Sequence, residues 1–470
     1  MIYFPFIVQI VGKYFKYKLN FKGCYIMVNI NDIVMRVNDL VWGWPTLAFF
    51  SIVAVYTTIV LRGVQFKYFF TSWKLTFFSD AGKKTGGDMS PLQSFMNALS
   101  ASIGNGSIAG IATAVYAGGP GVAFWIFVMG IFSMAIRFAE VYLSSAYVTS
   151  SSTGGVLGGP MIYLKKVPGG TYLASIFAFF CLLLSLASGS AMQANSITVG
   201  LVRTLGISPM VVALLLFVFI VYVTIGGAER IVKVSDKIVP VKVGTFFITA
   251  SIVLGYHWDK IIPALKLIYT AAFTPQAVMG GVLGLTIQNA LRFGVVRALN
   301  ASEAGLGTAG ILFGGSGSRE PVKNGIMGML GVFMTANLIC FSIALLIIAS
   351  GVWNNGQTGA DLTISAYETV FGSLGSWLVT FLAISFGVGT IVAYAYISRA
   401  CWTFLTNGRW MFMNDVIFCL VTLGGALARV EVVWNAVDIV NAGLVVSNLI
   451  GIIYLLPEIQ KGLSLYKSRG

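Results

Sequence analysis

Charge is scarce in this chain. Asp, Glu, Lys and Arg make up 10% of its 470 residues, against about 25% in an ordinary soluble domain. That excludes a soluble globular protein. Histidine is scarcer still: His257 is the only one, so a histidine-based metal centre or a Ser–His nucleophile lacks parts. The cysteines Cys24, Cys181, Cys340, Cys401 and Cys419 are scattered, with no CxxC pair, and four lie in apolar runs. Neither a disulfide framework nor a zinc site is suggested. An intramembrane enzyme would need a catalytic dyad or metal ligands at depth, and no paired aspartates fall mid-span, so no enzymatic activity is expected. Acidic residues number 16 against 30 Lys and Arg. In a soluble protein such an excess suggests nucleic acid; here it reads as basic loops facing the cytoplasm, with no nucleic-acid partner.

What is present is apolar. The chain is 57% hydrophobic, with a mean hydropathy of +0.86. Spans of about 20 apolar residues are expected near 40–61, 91–116, 122–148, 173–201, 209–225, 238–256, 276–293, 324–352, 374–405, 411–428 and 433–456. All are helical in pattern, without alternating strand signals. The fold class is therefore an all-α multi-span membrane protein with 11 transmembrane helices. Its segments are an N-terminal extension (1–39), an extra transmembrane helix (40–63), a cytoplasmic linker (64–90), a first five-helix repeat (91–256), a second (276–456) and a cytoplasmic tail (457–470). The extension fits a signal peptide poorly, and Met27 is an alternative start. With the linker inside, interior loops collect Arg62, Lys67, Lys74, Lys83, Lys84, Lys165, Lys166 and most other cations. Exterior loops after the first span hold Arg203, Lys260, Lys266 and Arg429. This places the N-terminus outside and the C-terminus in the cytoplasm of a cell-membrane protein; the basic extension argues the other way.

The stretch from Asn97 to Trp125 organises the rest. Gly104, Asn105, Gly106 and Ser107 interrupt it where a spanning helix is usually most regular. Every backbone group freed within a bilayer needs a partner, so such a break suits a cavity or a ligand. The plainer reading is a small-residue helix contact. The N–H groups of Asn105, Gly106 and Ser107 are candidates to meet a carboxylate at a half-helix N-terminus. The span from 276 is also glycine-broken, with Thr286, Gln288 and Asn289 expected mid-span beside substrate or as interhelical glue. Arg297–Lys323 reads as a long polar stretch. Each broken span opens a half of five, which points to a 5+5 inverted repeat with a central site. Gln193 and Asn195 are two apart and cannot share a helix face; one is expected to face the cavity, the other a neighbouring helix.

Among ionisable residues, Arg137 and Glu140 are three apart and are expected to pair. Lys242 follows Pro240 in an apolar run with no acidic residue four positions away. It either snorkels to the cytoplasm or holds its amine inside the protein, where a cation would otherwise sit, and exchanges a proton during transport. Gly387, Gly389 and Thr390 leave backbone accessible; a hydroxyl and carbonyls there suit a hard cation, although Thr390 bonding back to its own helix is commoner.

The motifs GNGSIAGIATAV, GGPG, FW, GGPMIYL, QANSI, GGAERIVKVSDKIVP and RALNASEAGLG, in order over about 40–456, resemble the alanine/glycine:cation symporter family of the amino acid–polyamine–cation superfamily. The resemblance implies uptake of small neutral amino acids driven by sodium or, in some members, by protons. It puts Gly104, Asn105, Gly106, Ser107 and Gln193 by the substrate, with Asn195 and Ser196 in the same motif, and Arg297 and Glu303 at the inner gate. No cofactor is implied beyond a sodium ion. The chain departs from the family pattern in places. GTGN reads Gly104–Ser107, SNEAG reads Ala301–Gly305, a Ser-Thr pair reads Gly389-Thr390, the Asp-Thr of FIDT reads Thr335-Ala336, and VPFM reads Val239–Lys242. Some sodium-independent members of the superfamily carry a lysine on the same repeat helix, with its amine in the sodium position. By that resemblance Lys242, with Ser100, Ile103, Gly389 and Thr390, forms the cation site or its substitute. Sodium symport, proton symport and sodium-independent exchange stay open; a channel would need a repeated filter, which is not seen.

Overall fold

Proline and glycine punctuate the helices of the chain, seen here in a computed structural model that describes residues 18–21, 24–27, 43–150, 155–274, 287–428 and 430–469. Among the described residues proline opens five of them, at α1 (Trp44–Val60), α3 (Pro91–Ser102), the single turn Pro160–Tyr163, α7 (Pro209–Ile225) and α12 (Pro321–Ala349). Its missing N–H costs nothing in a first turn. At α3 a capping box adds to this: the Gln93 N–H donates to Ser90 Oγ at 3.2 Å, and the Ser90 N–H to Gln93 Oε1 at 2.9 Å. The remaining helices are α2 (Phe69–Phe77), α4 (Ile111–Gly118), α5 (Val122–Ala146), α6 (Gly170–Leu205), α8 (Gly227–Tyr256), α9 (Trp258–Phe273), α10 (Ile287–Ser302), α11 (Thr308–Gly314), α13 (Ala360–Phe371), α14 (Leu374–Thr406), α15 (Met411–Leu427) and α16 (Val430–Arg469).

Among the described residues, six helices are long and apolar enough to cross a membrane. The bent pair Pro91–Ser102 and Gly106–Gly118 makes a seventh, and three shorter apolar helices of 17 residues each accompany them. The chain is thus a multi-pass membrane protein. The start of the expected span at 276–293 lies outside the described residues, which resume at Ile287.

Two interrupted helical pairs form the centre. α3 packs against α11, while α4 packs against α10, so the pairs α3–α4 and α10–α11 run side by side in opposite directions. α8 and α14 both pack on α3, and α5 packs on α10 and α12. The core therefore surrounds the two interruptions.

Several stretches expected as connections are ordered helix. The 64–90 linker contains α2, which packs on α12. The 257–275 loop contains α9, whose Trp258, Ile262, Leu265, Tyr269 and Phe273 recur every three or four residues and are exposed. An amphipathic helix with its apolar stripe uncovered by protein suits the membrane surface; Lys260 and Lys266 on the same stretch disguise it as a loop. The expected tail from 457 continues α16 through Pro457 to Arg469. Strands, which the pattern did not signal, occur in two short antiparallel hairpins, β1 (Lys18–Phe21) with β2 (Cys24–Met27), and β3 (Thr149–Ser150) with β4 (Val156–Leu157).

Candidate functional site

The last carbonyls of a helix have no partner within it. α3 ends at Ser102, Ile103 leaves the helix at φ −91°, ψ 79°, and a wide π-helical turn, Gly106–Gly110, restarts the chain at 50° to its earlier course. Two residues from other helices take up the freed carbonyls. Lys242 on α8 is fully buried, and its Nζ donates to Ser100 O at 2.9 Å, Ile103 O at 3.0 Å and Ser100 Oγ at 3.3 Å. Thr390 on α14 directs its one hydroxyl proton to the same region, with Ser100 O at 3.0 Å, Ile103 O at 3.2 Å and Ala101 O at 3.4 Å within reach. Ser100 Oγ donates to Gly389 O at 2.9 Å. A helix C-terminus carries about half a negative charge, so an ammonium there is matched both in charge and in hydrogen bonds. The structure thus brings together Lys242, Ser100, Ile103, Gly389 and Thr390. Gly389 is needed for it: a Cβ there would stand 2.9 Å from Lys242 Nζ. The lysine does not snorkel, and Thr390 bonds to α3 rather than to its own helix.

Beyond the break lies a cavity of about 210 Å³ lined by Gly104, Gly106, Ser107, Gln193, Thr390 and Tyr394, and by Phe293, Arg297 and Glu303 from the other pair. That is below the ~300 Å³ at which drug-sized sites begin, so only a small ligand fits. Gly104 brings backbone against Gln193 and Thr390; a Cβ would come within 3.1 Å of both. At Gly106 a Cβ would meet nothing within 4 Å, so the backbone there forms open cavity wall. Of the three N–H groups expected to await a carboxylate, two are engaged within the protein. Asn105 N–H donates to Gln193 Oε1 at 2.9 Å and Ser107 N–H to Gly104 O at 3.0 Å. Gln193 is therefore as much a brace of the break as part of the wall.

The expected single site divides. Asn105 and Asn195 do not line this cavity; they line a second one, on the far side of the restarted helix. Asn195 Nδ2 donates to Gly425 O at 3.1 Å and Ala428 O at 2.6 Å beside α15, so Gln193 and Asn195 do part company. Gln288 is exposed near the start of α10, away from both cavities, and Thr286 lies outside the described residues.

Among the described residues a second interruption falls beyond Gly294, while Gly280, Gly281 and Gly284, where a break was expected, lie outside them. α10 runs unbroken from Ile287 to Ser302, and the chain breaks over 303–307, where Glu303, Gly305 and Gly307 have φ of 52°, 89° and 83°. The stretch expected to be loop therefore holds the break and α11. Glu140 on α5 accepts from Gly305 N–H at 3.0 Å and Gly310 N–H at 3.2 Å and pairs with Arg137 at 3.5 Å, while Arg137 donates to Ser302 O. Asn448 Nδ2 donates to Gly305 O at 2.9 Å, and Tyr163 donates to Asn448. Glu303 accepts from Tyr394 and Thr308, each at 2.7 Å. Arg297, on the same wall, lies against Gly110, where a Cβ would sit 2.9 Å from its Nη1. Sequence reasoning missed Asn448; an amide in the apolar run VVSNLIG was the available signal.

A solved structure of a Na+-coupled sialic acid symporter shares the fold, with a TM-score of 0.50 and 13% identity, over 91% of this chain and 86% of that one. A transporter of Haemophilus influenzae is 32% identical, over 91% of this chain and 94% of its own length. The sodium/alanine symporter AgcS of Methanococcus maripaludis is 31% identical, over 90% and 94%, and the amino-acid carrier protein AlsT of Bacillus subtilis 28%, over 91% and 90%. The profile of the sodium:alanine symporter family matches residues 27–470, and the chain belongs to that family.

Proposed function

We propose that this protein is a secondary active transporter that imports small neutral amino acids such as alanine or glycine, with the Lys242 ammonium in the place of a sodium ion and protons supplying the coupling. Family membership supports cation-coupled amino acid symport. The observation that carries the finer reading is the position of Lys242 Nζ, 2.9–3.0 Å from two carbonyls at the end of α3. The three oxygens it contacts belong to neutral groups, and the buried carboxylate of Glu303 adds a longer-range attraction. An amine so placed keeps its proton while the α3 terminus embraces it. It releases the proton when α3 swings away, which ties proton transfer to alternation of access. The substrate is small because the cavity is small, and its floor is glycine backbone. Arg297 and Glu303, on the cavity wall beside the second break, fit a gate that moves with that break. The basic loops belong to the cytoplasmic face, which puts the C-terminus inside.

Sodium use at another place in the protein is favoured by the names of the relatives. Uptake of labelled alanine into proteoliposomes separates the two. With sodium replaced by choline, uptake is expected to persist and to accumulate alanine under an inward proton gradient. Lys242→Met is expected to abolish that accumulation. A strict sodium requirement in the wild type would overturn the proton reading.

A further inference from the structure

The second cavity has a volume of about 280 Å³ and sits between the restarted first helix, the C-terminal half of α6, the start of α13 and the start of α14. Its walls are aliphatic: Ile108, Val199, Ile364, Val379 and Ala383. Two of its polar residues are unusual. Asn105 is 3% exposed, and neither Oδ1 nor Nδ2 has a protein partner; Asn195 is 4% exposed, and its Oδ1 has none. Buried amide atoms left unpaired are costly, and here three of them belong to two residues that border one cavity. Room for the Asn105 amide is made by Gly387, where a Cβ would lie 2.7 Å from Nδ2. At the rim, Arg203 pairs with Asp361, both about half exposed, and Thr204 meets Thr380 at 2.8 Å.

We propose that this cavity is a second binding site, separate from the one at Gly104 and Gln193, for a zwitterionic amino acid with a branched aliphatic side chain. One cation and one anion at the rim match a ligand with one charge of each sign; a ligand with net charge would leave one of them unmatched. The ligand parts the Arg203–Asp361 pair at the rim, its carboxylate taking Arg203 and its ammonium Asp361, and its side chain fills the aliphatic interior. The central cavity, at about 210 Å³ and floored by glycine, selects a smaller ligand; the second cavity is larger and more apolar. The central site in this comparison rests on the transport reading above.

Equilibrium binding of labelled leucine and labelled alanine to the full-length protein in lipid nanodiscs tests the inference. Leucine is expected to bind saturably and to keep its affinity in Gly106→Leu, whose side chain enters the open space of the central cavity. Its affinity should fall about tenfold in Ala383→Phe, which fills the second. Arg203→Gln, at the exposed rim where folding is not at stake, should weaken leucine about tenfold as well. Absence of saturable leucine binding, or its loss in Gly106→Leu with retention in Ala383→Phe, overturns the proposal. Alanine binding that is lost in Gly106→Leu keeps the transport reading in either event, whereas a wild type that binds and transports no alanine fails that reading independently.

Discussion

Lys242 fills a position that oxygen ligands otherwise define. Remove its side chain and Ser100 O, Ser100 Oγ, Ile103 O and the Thr390 hydroxyl are left facing one another, a set of hard oxygens of the kind alkali and alkaline-earth ions prefer. Lys242→Ala is therefore expected to create a sodium site where the wild type has an amine. A ligand that binds only the folded state at a hundred times its Kd stabilises by about 2.7 kcal/mol. Sodium should accordingly raise the unfolding temperature of Lys242→Ala in detergent, and potassium or choline should not. The wild type should show no such sodium-specific shift. An equal shift in both proteins would remove the lysine from the cation position. The presence of this lysine is readable in the sequence, since an unpaired cation in an apolar run must either snorkel or be held. Which of the two occurs depends on where α3 ends, and that is a tertiary fact.

Interrupted helices differ in what their glycines do, and the difference is measurable. Gly106 faces open space, and its φ is not left-handed, so a methyl group fits the fold and only narrows the cavity. Gly307 has φ 83°, and a Cβ there would stand 2.5 Å from both Phe177 Cζ and Pro160 Cγ. Gly106→Ala is expected to unfold within a degree or two of the wild type while cutting alanine uptake more than glycine uptake. Gly307→Ala carries backbone strain and overpacking of about 1–3 kcal/mol each and should lower the unfolding temperature clearly, with uptake of both substrates reduced alike. Thermal unfolding and paired uptake assays check the contrast. The first interruption was legible because Gly104 and Gly106 sit with small polar neighbours in an otherwise apolar run. The one at 303–307 was not legible, because composition alone cannot separate a glycine that lets helices approach from one that bends a chain. Gly294 is of the first kind, with the Trp125 side chain 2.4 Å from where its Cβ would be; Gly305 and Gly307 are of the second.

Across the whole molecule, hydropathy marked the long apolar helices but could not show which polar faces share a cavity, and so Asn105 and Asn195 were grouped with Gly104 and Gln193 although they border a different space. Long-range ties of this kind also join the two halves of the chain. His257, at the end of α8, contacts Thr369 on α13 through Nε2 at 2.9 Å. Burial holds its pKa below the ordinary value near 6.5, the nearby Lys260 lowers it further, and Asp259 opposes the shift. A base whose folded pKa is depressed favours the folded state fully above its unfolded pKa. That contribution is lost as pH falls from about 6.5 through the folded value, because the unfolded chain takes up the proton first. The unfolding temperature should therefore decline as pH is lowered below about 6.5, and His257→Gln, which keeps a hydrogen-bonding group toward Thr369 but cannot titrate there, should flatten that decline. A decline of the same size in the variant would mean that acid acts elsewhere, and the tie between α8 and α13 would then be indifferent to protons.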